Sequence, residues 1–215
     1  MAVAFPLRVE EEFKLAEQSL ASLPEEAQKA IGELAVMATA NIPEDQRDLV
    51  KARLVSGLAS ALPVAQRELK FSISDFIRPT KMISGKYTVV ELRPELFGLT
   101  TFRYNWTTTG EQSCPWNITV AERAVLILVG FQNPEPSPKT RYVYGKIGVD
   151  DLPVYYVGDL EGFRVKALPQ TYILKPKTSV DLKQYIEATG YDGFRPFGAA
   201  IIPADQAVRL TPSLG

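Results

Sequence analysis

Six consecutive residues, Ala124, Val125, Leu126, Ile127, Leu128 and Val129, bounded by Arg123 and Gly130, form the longest unbroken aliphatic run in the chain. The run is too short for a buried helix and rich in branched side chains, so it reads as a strand apolar on both faces. Such a strand needs a hydrogen-bonded neighbour at each edge and a covering layer over each face. The flanking segments have to supply both.

The first third of the chain carries a helical period. Val9, Phe13, Ala16, Leu20 and Leu23 recur at spacings of four and three, which predicts a helix from about Arg8 to Ser22, stopped by Pro24. A second helix opens at Pro24 with Glu25 and Glu26 at the positive end of its dipole, carries Ala27, Ala30, Ile31, Leu34 and Ala38 on one face, and ends near Asn41. Pro43, Glu44 and Asp45 repeat that opening, and Leu49, Val50, Leu54, Leu58, Ala61 and Leu62 form a third stripe that Pro63 is expected to end. Gly32 and Gly57 lie inside the second and third helices, where they would let backbones approach closely. Glu10, Glu11 and Glu12 read as a solvated, dipole-favoured helix start.

Beyond Pro63 the period shortens to two. A strand is expected from Leu69 to just before Pro79, and others over residues 86–92, 99–106, 117–121 and the central run, followed by an extended surface loop at residues 133–138, where three prolines fall in five positions. Residues 141–149 and 153–157 then look like a pair joined through Asp150 and Asp151. Residues 163–168, 170–174, 197–202 and 207–210 are further strand candidates. Thr178 with Asp181 three residues on, and Gly190 as a cap, suggest a short helix over 179–189, although the alternation of Val180, Leu182 and Gln184 keeps a strand open. About ten short strands after a helical segment, with no long helices between them, predict an α+β chain. A three-helix segment over residues 1–66 precedes an antiparallel, jelly-roll-like β-sandwich over residues 67–215.

Composition removes several functions. The chain contains no histidine and a single cysteine, Cys114, so neither Ser-His-Asp nor Cys-His catalysis is expected, nor an internal disulfide. Zinc and transition-metal sites lose their usual ligands for the same reason, and no metal, cofactor or catalytic group is expected. Neither glycine-rich phosphate-binding spacing occurs, because Gly85-Lys86 and Gly145-Lys146 lack the upstream glycine. A net charge of −1 argues against holding nucleic acid by bulk positive charge. No secretory leader and no membrane-spanning run is visible, so a virion or cytoplasmic location is expected.

Two groups of residues remain as candidate sites. Asp150, Asp151, Asp159 and Glu161 cluster around two predicted turns, and two of them could serve a carboxylate-based hydrolase, although turns favour aspartate for its local hydrogen bonds. Tyr142, Tyr144, Tyr155 and Tyr156 belong to adjacent predicted strands and could form a shelf that stacks sugars or bases; half-buried sheets also favour tyrosine simply for packing. Without nucleophile and base, the leading expectation is a non-enzymatic structural protein that assembles with copies of itself or with other shell proteins. A virus or phage virion subunit is its most concrete instance, by fold-level analogy. A carbohydrate- or small-ligand-binding sandwich module using the tyrosines is the alternative.

Overall fold

The computed structural model describes residues 9–79 and 83–210. Helices α1 (Val9–Ala21), α2 (Glu25–Thr39) and α3 (Glu44–Leu69) come first. The strands are β1 (Tyr87–Glu91), β2 (Tyr104–Trp106), β3 (Gly110–Ser113), β4 (Ile118–Thr119), β5 (Val125–Gln132), β6 (Thr140–Ile147), β7 (Asp150–Tyr156), β8 (Val165–Leu174), β9 (Ser179–Ile186), β10 (Gly190–Asp192) and β11 (Arg195–Pro203). A last helix, α4 (Ala204–Leu210), ends the described chain. The expected helix start at Arg8 lies outside the described residues.

The strands pair as one nested hairpin. β6 pairs with β7, β5 with β8, β4 and β3 with β9, β2 with β10, and β1 with β11, every pair antiparallel. Two further antiparallel pairings, β11 with β5 and β9 with β6, roll that hairpin up. The result is a four-stranded sheet in the order β1-β11-β5-β8, which we term the inner sheet, and an outer sheet in the order β3-β9-β6-β7 with β4 also on β9. This is the two-sheet jelly-roll-like arrangement expected from the sequence.

The aliphatic run sits at the middle of a three-layer body. All eight residues of β5 are buried. Val125, Ile127 and Val129 face the helices, whereas Leu126 and Leu128 face the outer sheet. The alternation would send Phe131 to the helices too. A bulge at Val129, where the register with both β8 and β11 shifts, reverses the parity and turns Phe131 into the sandwich. There its ring lies 5.9 Å from Trp116 and 5.3 Å from Phe194, centroid to centroid. One extra residue thus builds the aromatic centre of the second core. The proline loop is pinned beside it: the buried Asp192 carboxylate accepts from Asn133 Nδ2 at 2.6 Å, the Lys139 backbone N–H at 2.9 Å and Thr140 Oγ1 at 2.5 Å.

Several local expectations are overturned. Pro63 does not end α3, which runs on to Leu69; the ring points to solvent while Leu62, Ala65 and Leu69 stay buried, so tertiary packing outweighs the one backbone hydrogen bond lost. The boundary drawn at residue 66 therefore falls inside a helix. The strand expected from Leu69 to before Pro79 does not form: Leu69 ends α3, a 3-10 turn follows at Ile73–Asp75, and Phe76 makes one isolated bridge to Tyr87. Residues 179–189 hold the strand β9 rather than a helix, their strict alternation of exposed and buried side chains deciding the matter. Residues 207–210 belong to α4. Of residues 99–106 only Tyr104–Trp106 forms a strand. Asp150 and Asp151 begin β7 instead of forming its turn, which falls on Gly148 and Val149. The segments either side of Pro169 are one strand, β8, which tolerates proline because it is an edge strand of its sheet.

The helical layer and the inner sheet share one core. Leu54, Leu58 and Leu62 of α3 are buried with Val125, Ile127 and Ile201 of the sheet. Gly57 makes the close approach possible: a Cβ there would lie 2.8 Å from Thr171 Cγ2 and 3.1 Å from Ile127 Cγ2. The layer is also tied by charge. Arg53 of α3 donates to both carboxylate oxygens of Glu12 in α1, at 2.7 and 2.6 Å, and to the Leu168 carbonyl of β8 at 3.2 Å. Glu12 is buried, so it is not part of the solvated helix start expected from Glu10, Glu11 and Glu12.

Two substitutions test this packing by their opposite signs. Gly57→Ala should lower the unfolding free energy by about 1–3 kcal/mol through overpacking. Gly32→Ala, where an added Cβ meets nothing within 4 Å, should raise it by about 0.5–1 kcal/mol by restricting the unfolded chain. Arg53→Ala strands a buried carboxylate and should cost about 3 kcal/mol in denaturant unfolding, against a small loss for Arg67→Ala on the exposed surface.

Candidate functional site

The helices cover one sheet, and the outer sheet turns its far side to solvent. Along β9 the side chains of Ser179, Asp181, Lys183 and Tyr185 point out, while Val180, Leu182, Gln184 and Ile186 point into the sandwich. Register then brings a row of side chains together across four strands. Glu111 of β3 lies opposite Tyr185, Tyr185 opposite Tyr142 of β6, and Tyr142 opposite Tyr156 of β7. The Tyr142 ring lies 6.4 Å from that of Tyr185 and 5.5 Å from that of Tyr156, at interplanar angles of 65° and 61°. Edge-to-face contacts of this kind hold each ring in place without covering it. The three remain 41–46% exposed.

Charged groups frame the row. The Lys166 ammonium lies 6.0 Å from the Tyr156 centroid and 2.8 Å from Asp159. Arg141 donates to Glu187 and, at 2.9 Å, to the Gly158 carbonyl. One step along the strands, Tyr144 lies opposite Lys183, and both reach Glu111: the tyrosine hydroxyl donates to one carboxylate oxygen and Lys183 Nζ lies 2.6 Å from the other. Lys183 and then Tyr144 hold the Glu111 carboxyl below the usual glutamate range, and the same hydrogen bond pushes the Tyr144 hydroxyl up.

Three of the four tyrosines expected to form a shelf therefore share this face, and one does not. Tyr155 lies on the inward side of β7: it pairs with Val143, its ring centroid is 6.4 Å from that of Phe131, and its hydroxyl donates to the Ala167 carbonyl. Its neighbours on the strand, Val154 and Tyr156, are both exposed. Adjacent residues of a strand point to opposite faces, so Tyr155 and Tyr156 cannot line one surface. Burial pushes the Tyr155 hydroxyl up. Tyr185 takes the place in the row that Tyr155 does not. It escapes a reading of the sequence that makes 179–189 a helix, yet the alternation from Ser179 to Ile186 contains the signal. Lys183 escapes that reading with it, and Glu111 lies on β3, a four-residue strand in a stretch whose Gly110 and Cys114-Pro115 read as a loop.

The carboxylates divide into two groups. Asp150 and Asp151 begin β7, whereas Asp159 and Glu161 follow its far end. Six steps along a strand separate the groups by about 20 Å, beyond the spacing of a glycosidase acid and base. Asp159 is engaged with Lys166. Cys114 is buried, and that burial pushes its thiol well up, away from the nucleophilic thiolate form. Among the described residues no cluster of three or more histidine, cysteine, aspartate or glutamate side chains is placed to hold a metal ion, and no helix is long and apolar enough to cross a membrane.

The Glu111 carboxyl offers a check on this geometry. Its folded pKa is depressed, so its contribution to stability is present above the unfolded glutamate value and is lost as pH falls through the folded one. In a carboxyl-carbon NMR titration Glu111 should titrate below free glutamate, and Lys183→Ala should move it up towards the ordinary value.

Comparison of the chain with protein-family models, with curated proteins and with solved structures gives no match.

Proposed function

We propose that this chain is a non-enzymatic structural subunit that assembles with copies of itself through the outer sheet, a virus or phage shell subunit being the most concrete instance. The observation that carries the reading is the exposed row of Tyr185, Tyr142 and Tyr156, set in register on a sheet whose opposite face is already filled. Aromatic side chains fixed by their neighbours lose little entropy on burial and are enriched at the centres of protein interfaces. Val154, 66% exposed, extends the apolar surface along β7. The step from a jelly-roll-like body to a virion is analogy of fold.

The in-register tyrosines also favour a second reading, a shelf for a sugar ring, in which Tyr142 and Tyr156 stack the ligand and Tyr155 takes no part.

Sedimentation velocity over a range of concentration and salt, with electron microscopy of the products, separates the two. Assembly should be present and should weaken on Tyr142→Ala by about 2 kcal/mol per contact, roughly thirtyfold, with the melting temperature little changed. A monodisperse monomer at high concentration under every salt condition overturns the assembly reading. Glycan binding that is lost in Tyr142→Ala would then support the shelf.

A further inference from the structure

A cleft of about 410 Å³ lies at one end of the body, between the C-terminal end of α2, the segment after β1 and the start of β11. Its volume is within the range of small-molecule sites. Among the described residues Arg93, Arg103 and Arg195 line it together with Glu91 and Glu135, a formal excess of one positive charge.

Arg195 is the unusual member. Its Nε and Nη2 both donate to Gln132 Oε1, at 3.1 and 2.6 Å, and its guanidinium lies 5.8 Å from the Phe163 ring centroid. Gln132 is only 4% exposed, and its own Nε2 donates to the Phe163 carbonyl at 2.7 Å, so the amide that holds the guanidinium is itself fixed. No carboxylate among the described residues lies within ion-pair distance of Arg195. Burial lowers its pKa, and Glu91 opposes that only through its field. Arg103, by contrast, is engaged: its Nε lies 2.8 Å from Glu135 and its guanidinium 4.4 Å from the Tyr191 ring centroid. A partly buried guanidinium without an anion is costly, and a carboxylate entering the cleft would relieve that cost.

We propose that this cleft binds a small, singly charged carboxylate bearing hydroxyl groups, of the size and chemistry of an acidic monosaccharide, with Arg195 receiving the carboxylate. The single excess charge and the carbonyl end of α2 disfavour a second negative charge on the ligand. Thr100, Thr101 and Asn41 offer partners to its hydroxyls. The site is separate from the tyrosine row, and the proposal does not depend on the assembly reading.

Isothermal titration of the full chain at low salt with glucuronate, glucose and inorganic phosphate tests it. Glucuronate should bind at least tenfold more tightly than either of the others. Arg195→Ala should weaken glucuronate at least tenfold, and Arg195→Lys, which keeps the charge but not the planar fork, should weaken it severalfold; circular dichroism establishes that each variant is folded. Should Arg195→Ala fail to fold, Arg195→Lys alone decides. Equal binding of glucose and glucuronate, phosphate binding as tight as glucuronate, no detectable glucuronate binding, or binding unchanged in the folded arginine variants overturns the proposal.

Discussion

The structure depends on β5 being buried on both faces. A strand with an apolar side chain at nearly every position cannot lie at the surface of a two-layer protein, so a second sheet must cover one face and something else the other. The helical segment supplies that third layer. Its small residues serve the purpose: Gly57 brings α3 against Ile127 and Thr171, and Ala30, Ala61 and Ala65 are fully buried within the layer. Arg53 then joins α1, α3 and β8 through hydrogen bonds to Glu12 and Leu168.

Covering one sheet with helices leaves the other to meet the outside. The two sheets of this body are therefore unequal, one enclosed and one presenting its far face. The alternation in β9 distributes its residues accordingly, with Val180, Leu182 and Ile186 towards the sandwich and polar or aromatic side chains towards solvent. The charged groups beside the tyrosine row are engaged with one another, as Glu111 is with Lys183 and Asp159 with Lys166, which leaves the rings as the face's least hydrated part.

Much of this is legible in the sequence. The aliphatic run, the helical stripes up to Pro63 and the period of two beyond it each report a local environment directly, and they carry the α+β class and the sandwich. The errors arise where a local signal competes with packing. Pro63 is a helix breaker in isolation, but α3 continues because the residues around it are anchored in the core. Thr178, Asp181 and Gly190 imitate helix caps, although the side chains between them alternate as a strand must. The tyrosine row is half visible: Tyr142 and Tyr144 share a face by period alone, whereas the partnership with Tyr185 depends on register between distant strands, and no local pattern encodes that. The cleft around Arg195 is not visible at all, because its residues come from segments more than a hundred positions apart.

The nested pairing has a consequence for the order in which the chain can form. The β6–β7 hairpin closes over a two-residue turn, while β1 must wait for β11, over a hundred residues later. Loop closure entropy is smaller for short spans, which favours closing the hairpin tip before the outer pairs. During synthesis the helices leave the ribosome well before the sheet that forms their floor. Until β5 and β11 arrive, the apolar faces of α2 and α3 lack the sheet on which they pack, and apolar surface left open in a partly made chain favours aggregation.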